Sequence, residues 1–139
     1  MFLLFSISSN AIEVEEQYFE SALESMSQND TESAYIHLKN ALAANPSHVP
    51  SKILMGKILY KKGFFDAALQ ELHDAEQLGA DKNLTAVTIA RALLVLKSYS
   101  RILSIDTASL KQDIAFEVLL IKSSAQHQSP KPKEAIQYL

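Results

Sequence analysis

The stretch AYIHLKNALAANPSHVPSKILMGKILYKKGFFDAALQELHDA, residues 34–75, decides the fold. Shifted by 34 positions it falls on itself: Ala34 on Ala68, Tyr35 on Leu69, Leu38 on Leu72 and Ala41 on Ala75. The register holds outward from there, with Ala22 over Gly56 and then Ala90, and Asn29 over Gly63. Small residues over small and aliphatic over aliphatic, at one fixed period, mark a helical repeat array. Each unit reads as two antiparallel helices. Ala22 or Gly56 on the first helix faces Ala34 or Ala68 on the second, so the axes approach closely and larger neighbours interlock around the contact. Ala41 and Ala75 lie on the same face of the second helix, where the next unit packs. Phe19, Leu38, Leu42, Ile53 and Leu72 supply bulk between them. One pair cannot cover its own apolar face, so the units stack.

Helix boundaries follow from the punctuation. Asp30 or Thr31 caps the second helix, which ends before Asn45-Pro46 because a residue preceding proline resists helical geometry. Pro50 suits the first turn of the third helix, and Gly63 and Gly79 suit C-terminal turns. Asp81 or Asn83 is expected to cap a helix running through Ala90, Leu93 and Leu96. Beyond Lys97, which replaces the turn glycine, the repeat decays, and Ile102 stands where a small residue is expected. A short helix Tyr99–Ile105 is followed by a long one, capped by Asp106 or Thr107 and carrying Leu110, Ile114, Phe116 and Leu120. Ser129-Pro130-Lys131-Pro132 reads as a turn into Glu134–Leu139, with Ala135 as a further packing position. The expectation is the first part of a longer array.

Composition agrees with this reading. Three glycines and four prolines in 139 residues argue against a sandwich or barrel, and 47% hydrophobic with 21% charged residues excludes disorder. The absence of cysteine removes disulfides, thiolate metal sites and cysteine nucleophiles. A net charge of −3 gives no basis for nucleic-acid binding. The charge is polarised: residues 1–38 hold seven acids, and all 13 lysines and arginines lie from Lys39 onward. Such an acidic end is either a solvated surface or a steering field for a basic partner. No stretch reaches the roughly 20 apolar residues of a membrane span. Residues 1–11, with Phe2-Leu3-Leu4-Phe5 and Ser9-Asn10-Ala11, read as the remnant of an export signal or as a frayed terminus. Residues 12–139 read as one domain.

Signals for chemistry are weak. His37, His48, His73 and His127 lack metal-ligand spacing and read as solvated. Serine is plentiful without G-x-S-x-G, and three glycines build no phosphate loop. Glu15 and Glu16 are adjacent, so they point to different helix faces and form no acid/base pair. The expectation is a protein with no catalytic residue, cofactor or metal.

The 34-residue pattern of small and bulky positions resembles the tetratricopeptide repeat. Residues 15–48 and 49–82 carry it well, 83–106 and 107–139 in degenerate form. Pro46 matches the proline that closes such a unit and Tyr18 its early aromatic, while Ala80 and Lys52 depart from them. The resemblance implies an all-α, right-handed superhelix of about seven or eight helices, serving as a protein-interaction scaffold. The first helices would line a concave groove holding a protein or peptide partner. Its walls would be Phe19, Leu23 and Met26, then Ile53, Lys57, Tyr60 and Lys61, then Val87, Arg91 and Leu94. Lys57 and Arg91 are repeat-equivalent and would form a basic row for an acidic residue of the partner. The Asn positions of carboxylate-clamp modules are missing.

A narrower wording resembles the start of the tetratricopeptide lipoproteins of the PEP-CTERM sorting system. It runs through Ala34–Leu42, Leu54–Tyr60, Ala68–Leu72, Leu78–Asp81 and Ala90–Leu94. That resemblance implies a periplasmic or envelope location and a place in bacterial exopolysaccharide assembly. Those proteins carry a lipidated N-terminal cysteine, so membrane association here would need a lipidated segment beyond this chain. The alternatives are a cytosolic adaptor, an assembly protein for pili or secretion pores, and a regulatory domain of a larger enzyme complex.

Overall fold

Runs of good helix formers separated by turns of a few residues give seven α-helices, and no strand, among the described residues. A computed structural model describes residues 4–130, with side chains from Val14 onward. The elements are α1 (Leu4–Ser27), α2 (Thr31–Ala44), α3 (Val49–Lys61) and α4 (Phe65–Gln77), then a single 3-10 turn (Lys82–Leu84), α5 (Ala86–Val95), α6 (Tyr99–Leu103) and α7 (Gln112–Gln128). α1 includes Leu4 to Ala11, part of the stretch read above as a leader remnant or frayed end. The readings at Phe2-Leu3, Lys131-Pro132, Ala135 and Glu134–Leu139 lie outside the described residues.

The chain packs as adjacent pairs. α1 lies on α2 and α3 on α4, while α2–α3 and α4–α5 contacts join successive pairs. Ala22, Ala34, Ala41, Ala68, Ala75 and Ala90 have no solvent exposure. At Gly56 a Cβ would lie 2.5 Å from Leu72 Cγ, 2.8 Å from its Cδ2 and 3.2 Å from the Ala68 carbonyl oxygen. The expected contact between Gly56 and the Ala68 level of the next helix is therefore present, and it is closer than an alanine allows. Leu38 and Leu72 are fully buried beside these small residues, each contributing about 1.5–3 kcal/mol of apolar burial. Two core clusters result, one across α1 to α4 and one across α4 to α7, and Tyr60 packs against both.

The pairs turn by one repeated device. Asn29, Gly63 and Lys97 have φ of 59°, 84° and 54° and stand 34 residues apart. In each turn the N–H after the left-handed residue reaches back to a carbonyl five residues earlier. Asp30 donates to Ser25, Phe64 to Leu59 and Ser98 to Leu93, all at 2.9 Å. Those bonds satisfy the last helical carbonyls. The turn geometry thus persists at Lys97 although a lysine replaces the glycine, and the repeat departs beyond it. α6 is only five residues long with Ile102 as its one buried residue, so α5 takes α7 as its main partner.

Two start signals act differently from expectation. Asp81 accepts the Asn83 N–H at 2.9 Å and caps the 3-10 turn, while Thr85 is the N-cap of α5. Thr85 is fully buried and donates its hydroxyl to Glu76 Oε1 at 2.6 Å, tying α5 to the end of α4. Asp106 accepts from the Ala108 N–H at 2.9 Å, closing a local turn in place of a helix cap. α7 begins later, after Leu110 packs into the core and the Lys111 N–H donates to Asn83 Oδ1 at 2.7 Å. Asp30 caps α2 as read: it accepts from Ser33 N–H at 3.0 Å and Ser33 Oγ at 2.6 Å. The Ser33 hydroxyl, then its N–H, hold the Asp30 carboxyl below its ordinary value.

Four substitutions check this account. Gly56→Ala should lower stability by about 1–3 kcal/mol, because overpacking against a fully buried leucine outweighs the better helix propensity of alanine; a neutral or stabilising result in urea denaturation would contradict the close approach. Lys97→Gly should raise stability by roughly 0.5–1 kcal/mol by removing left-handed strain, and Gly63→Ala should lower it by about 1 kcal/mol. Asp30 has its folded pKa depressed, so its contribution is complete above the ordinary carboxylate value of about 3.9 and is lost as pH falls through the folded value. Asp30→Ala should therefore be less stable than the parent at pH 7, with a gap that closes in acid. An equal gap at pH 7 and pH 3 would show that the carboxylate is not the stabilising group.

Candidate functional site

One of the concave features that the helices build is an apolar groove of about 410 Å³. α1 supplies Phe19 and Leu23, α3 supplies Val49, Pro50, Ile53, Leu54 and Lys57, and the turn after α4 supplies Gly79, Ala80, Asp81 and Leu84. α3 can do this because its residues divide around the helix. Met55, Gly56, Ile58 and Leu59 are buried in the pair contacts, which leaves Leu54 and Lys57 half-buried on the groove side. Leu23 is 47% and Leu84 51% exposed, so the rim carries wetted leucines. Lys57 forms no ion pair among the described residues, and its stem lies along the apolar wall. Asp81 is held below its ordinary carboxylate value, chiefly by the Asn83 N–H and then the Asn83 side chain, with Lys111 adding to this.

Of the ten residues expected to face the groove, the structure brings Phe19, Leu23, Ile53 and Lys57 together. Met26, Tyr60, Val87 and Leu94 pack instead against the core clusters. Lys61 is exposed at the end of α3, outside the groove wall. Arg91 is ion-paired with Glu117 of α7, so the expected basic row with Lys57 does not form. The reason is α7, which packs directly on α5 and brings Glu117 to Arg91. The lining missed by sequence reading is the turn, Gly79 to Leu84. Its only sequence signal was a glycine followed by a capping aspartate, features that mark a turn without saying what it covers.

Phe19 is fixed by a polar clamp that the sequence also concealed. His48 was expected to be solvated, yet it is 7% exposed. Its Nδ1 lies 2.7 Å from Ser51 Oγ and its Nε2 3.1 Å from Glu16 Oε1, and Phe19 meets its ring edge-on at 5.4 Å between centroids. The ring is buried because both nitrogens find partners, which offsets the cost of desolvating them. Glu15 is buried beside it and accepts from Asn45 Nδ2 at 2.7 Å. Adjacent glutamates thus grip two residues of the α2–α3 turn, a structural task. His37 and His73 are half-buried, the latter 3.3 Å from Arg101, and His127 alone is exposed.

Among the described residues no group of three His, Asp or Glu could hold a metal ion, and no helix is long and apolar enough to cross a membrane. The arrangement can bury apolar surface and offer one ammonium group at its edge. No protein-family model, curated protein or solved structure matches the chain.

Proposed function

We propose that this chain is a tetratricopeptide-type interaction module that seats a short apolar segment of a partner protein between α1, α3 and the turn after α4. The observation that carries the reading is the groove itself, with exposed Leu23 and Leu84 on its rim and Lys57 without an ion partner among the described residues. Apolar surface left in water at a concave site gains roughly 25 cal/mol per Å² when a ligand covers it. Walls carried by helices are largely formed before binding, which limits the ordering cost. A bound segment would place apolar anchors against Phe19, Ile53 and Leu54 and a carboxylate at Lys57. The narrower family resemblance supports an envelope setting for that partner, within exopolysaccharide assembly.

Peptides selected from a random displayed library on the purified chain test this reading. Leu23→Glu should weaken the selected peptides about tenfold or more, and Lys57→Glu should weaken those bearing an acidic residue. Ile36→Glu, at an exposed position of α2, should leave binding unchanged. A library that yields no binder, or binders indifferent to Leu23→Glu, would remove the groove from the function.

A further inference from the structure

α7 carries two apolar faces. Val118, Ile121 and Ala125 are buried in the core. On the opposite side Phe116 is 63%, Leu119 51% and Leu120 55% exposed, and no described residue covers them. Single exposed apolar residues are ordinary, but three within five positions on one helix form a patch. Helical spacing of three and four places Asp113, Phe116, Leu120, Ser124 and His127 along one stripe through that patch.

We propose that this stripe pairs with the same stripe of a second copy of the chain, antiparallel, about a twofold axis through Leu120. The pattern is self-complementary about that residue. Phe116 stands four positions before it and Ser124 four after; Asp113 stands seven before and His127 seven after. Antiparallel pairing therefore sets Phe116 over Ser124 of the partner subunit, large against small, at both ends of the contact. It also sets the Asp113 carboxylate against an imidazole N–H of the partner's His127, twice over. Parallel pairing would oppose Asp113 to Asp113 and Phe116 to Phe116, without any charge complement. Asp113 lies in the first turn of α7 and His127 in the last, so the antiparallel arrangement also opposes the two helix dipoles favourably. Such an isologous contact closes at two copies. One helix pair is a small interface, so the dimer is weak and concentration-dependent.

The chain has no cysteine, so a single introduced thiol reports a single contact. Under mild oxidation Leu120→Cys should give a disulfide-linked dimer, whereas Val95→Cys, at a similarly exposed position of α5, should stay monomeric. In sedimentation equilibrium the unaltered chain should show a monomer–dimer equilibrium, shifted about tenfold or more toward monomer by Phe116→Glu. Asp113→Lys should weaken association, and adding His127→Glu should restore it. A chain that remains monomeric at hundreds of micromolar, equal cross-linking at both thiol positions, or a charge swap without recovery would overturn the proposal. So would a monomeric Leu120→Cys variant that resists alkylation, which would mean that another part of the same chain covers the stripe.

Discussion

The distance between α3 and α4 is the constraint from which the rest of the molecule follows. Because Gly56 offers no side chain, the Leu72 side chain and the Ala68 carbonyl lie where an ordinary residue would project. Leu72 is then fully buried, and its position fixes how α4 lies along α3. The turn after α4 is brought across the remaining face of α3, where Gly79 to Leu84 complete the groove. A single missing methyl group thus links the packing of one pair to the shape of the candidate site. The effect is steric, since interiors at crystal-like density transmit displacement and do not absorb it.

The same logic explains why the repeat survives where its sequence fails. Asn29 and Lys97 occupy a backbone region that costs an L-residue roughly 1–2 kcal/mol, yet both make the turn that Gly63 makes. What holds them there is the apolar packing of the flanking helices. Ala22 and Ala90 are fully buried at the position of Gly56, and Leu93 is buried behind the Lys97 turn. Local preference at one residue yields when many buried contacts on both sides require the chain to reverse. The small residue seven positions earlier thus keeps the turn at Lys97 in register, and the departure from the repeat begins beyond it, where α6 is only five residues long.

Legibility in the sequence divides along that line. Short-range signals read correctly: the 34-residue period, the Asp30 cap, the break at Asn45-Pro46 and the small positions Ala22, Gly56 and Ala90 all stand where the pattern put them. Each is decided by neighbours within a few residues or by strict repetition. The groove was half legible, since Phe19, Leu23, Ile53 and Lys57 follow from helix periodicity. Its other half belongs to a turn, and turns carry no period from which a facing direction can be read. Arg91 fails for a related reason: Glu117 lies 26 residues away, on a helix whose docking depends on how short α6 is.

The two walls of the groove are held by different forces, and this bears on what the site can recognise. The α3 wall rests on apolar packing, which is strong but only weakly directional. The α1 wall rests in addition on Glu15 with Asn45 and on Glu16 with His48, and hydrogen bonds weaken steeply when bent. Rotation of α1 about its own axis would displace Ala22 from its buried contact with α2, break both bonds and leave a buried histidine nitrogen unsatisfied. The clamp and the buried Ala22 contact together fix which residues of α1 face inward, with Phe19 and Leu23 in the wall. Packing brings the helices together, while the polar turn sets the angle at which they present a surface.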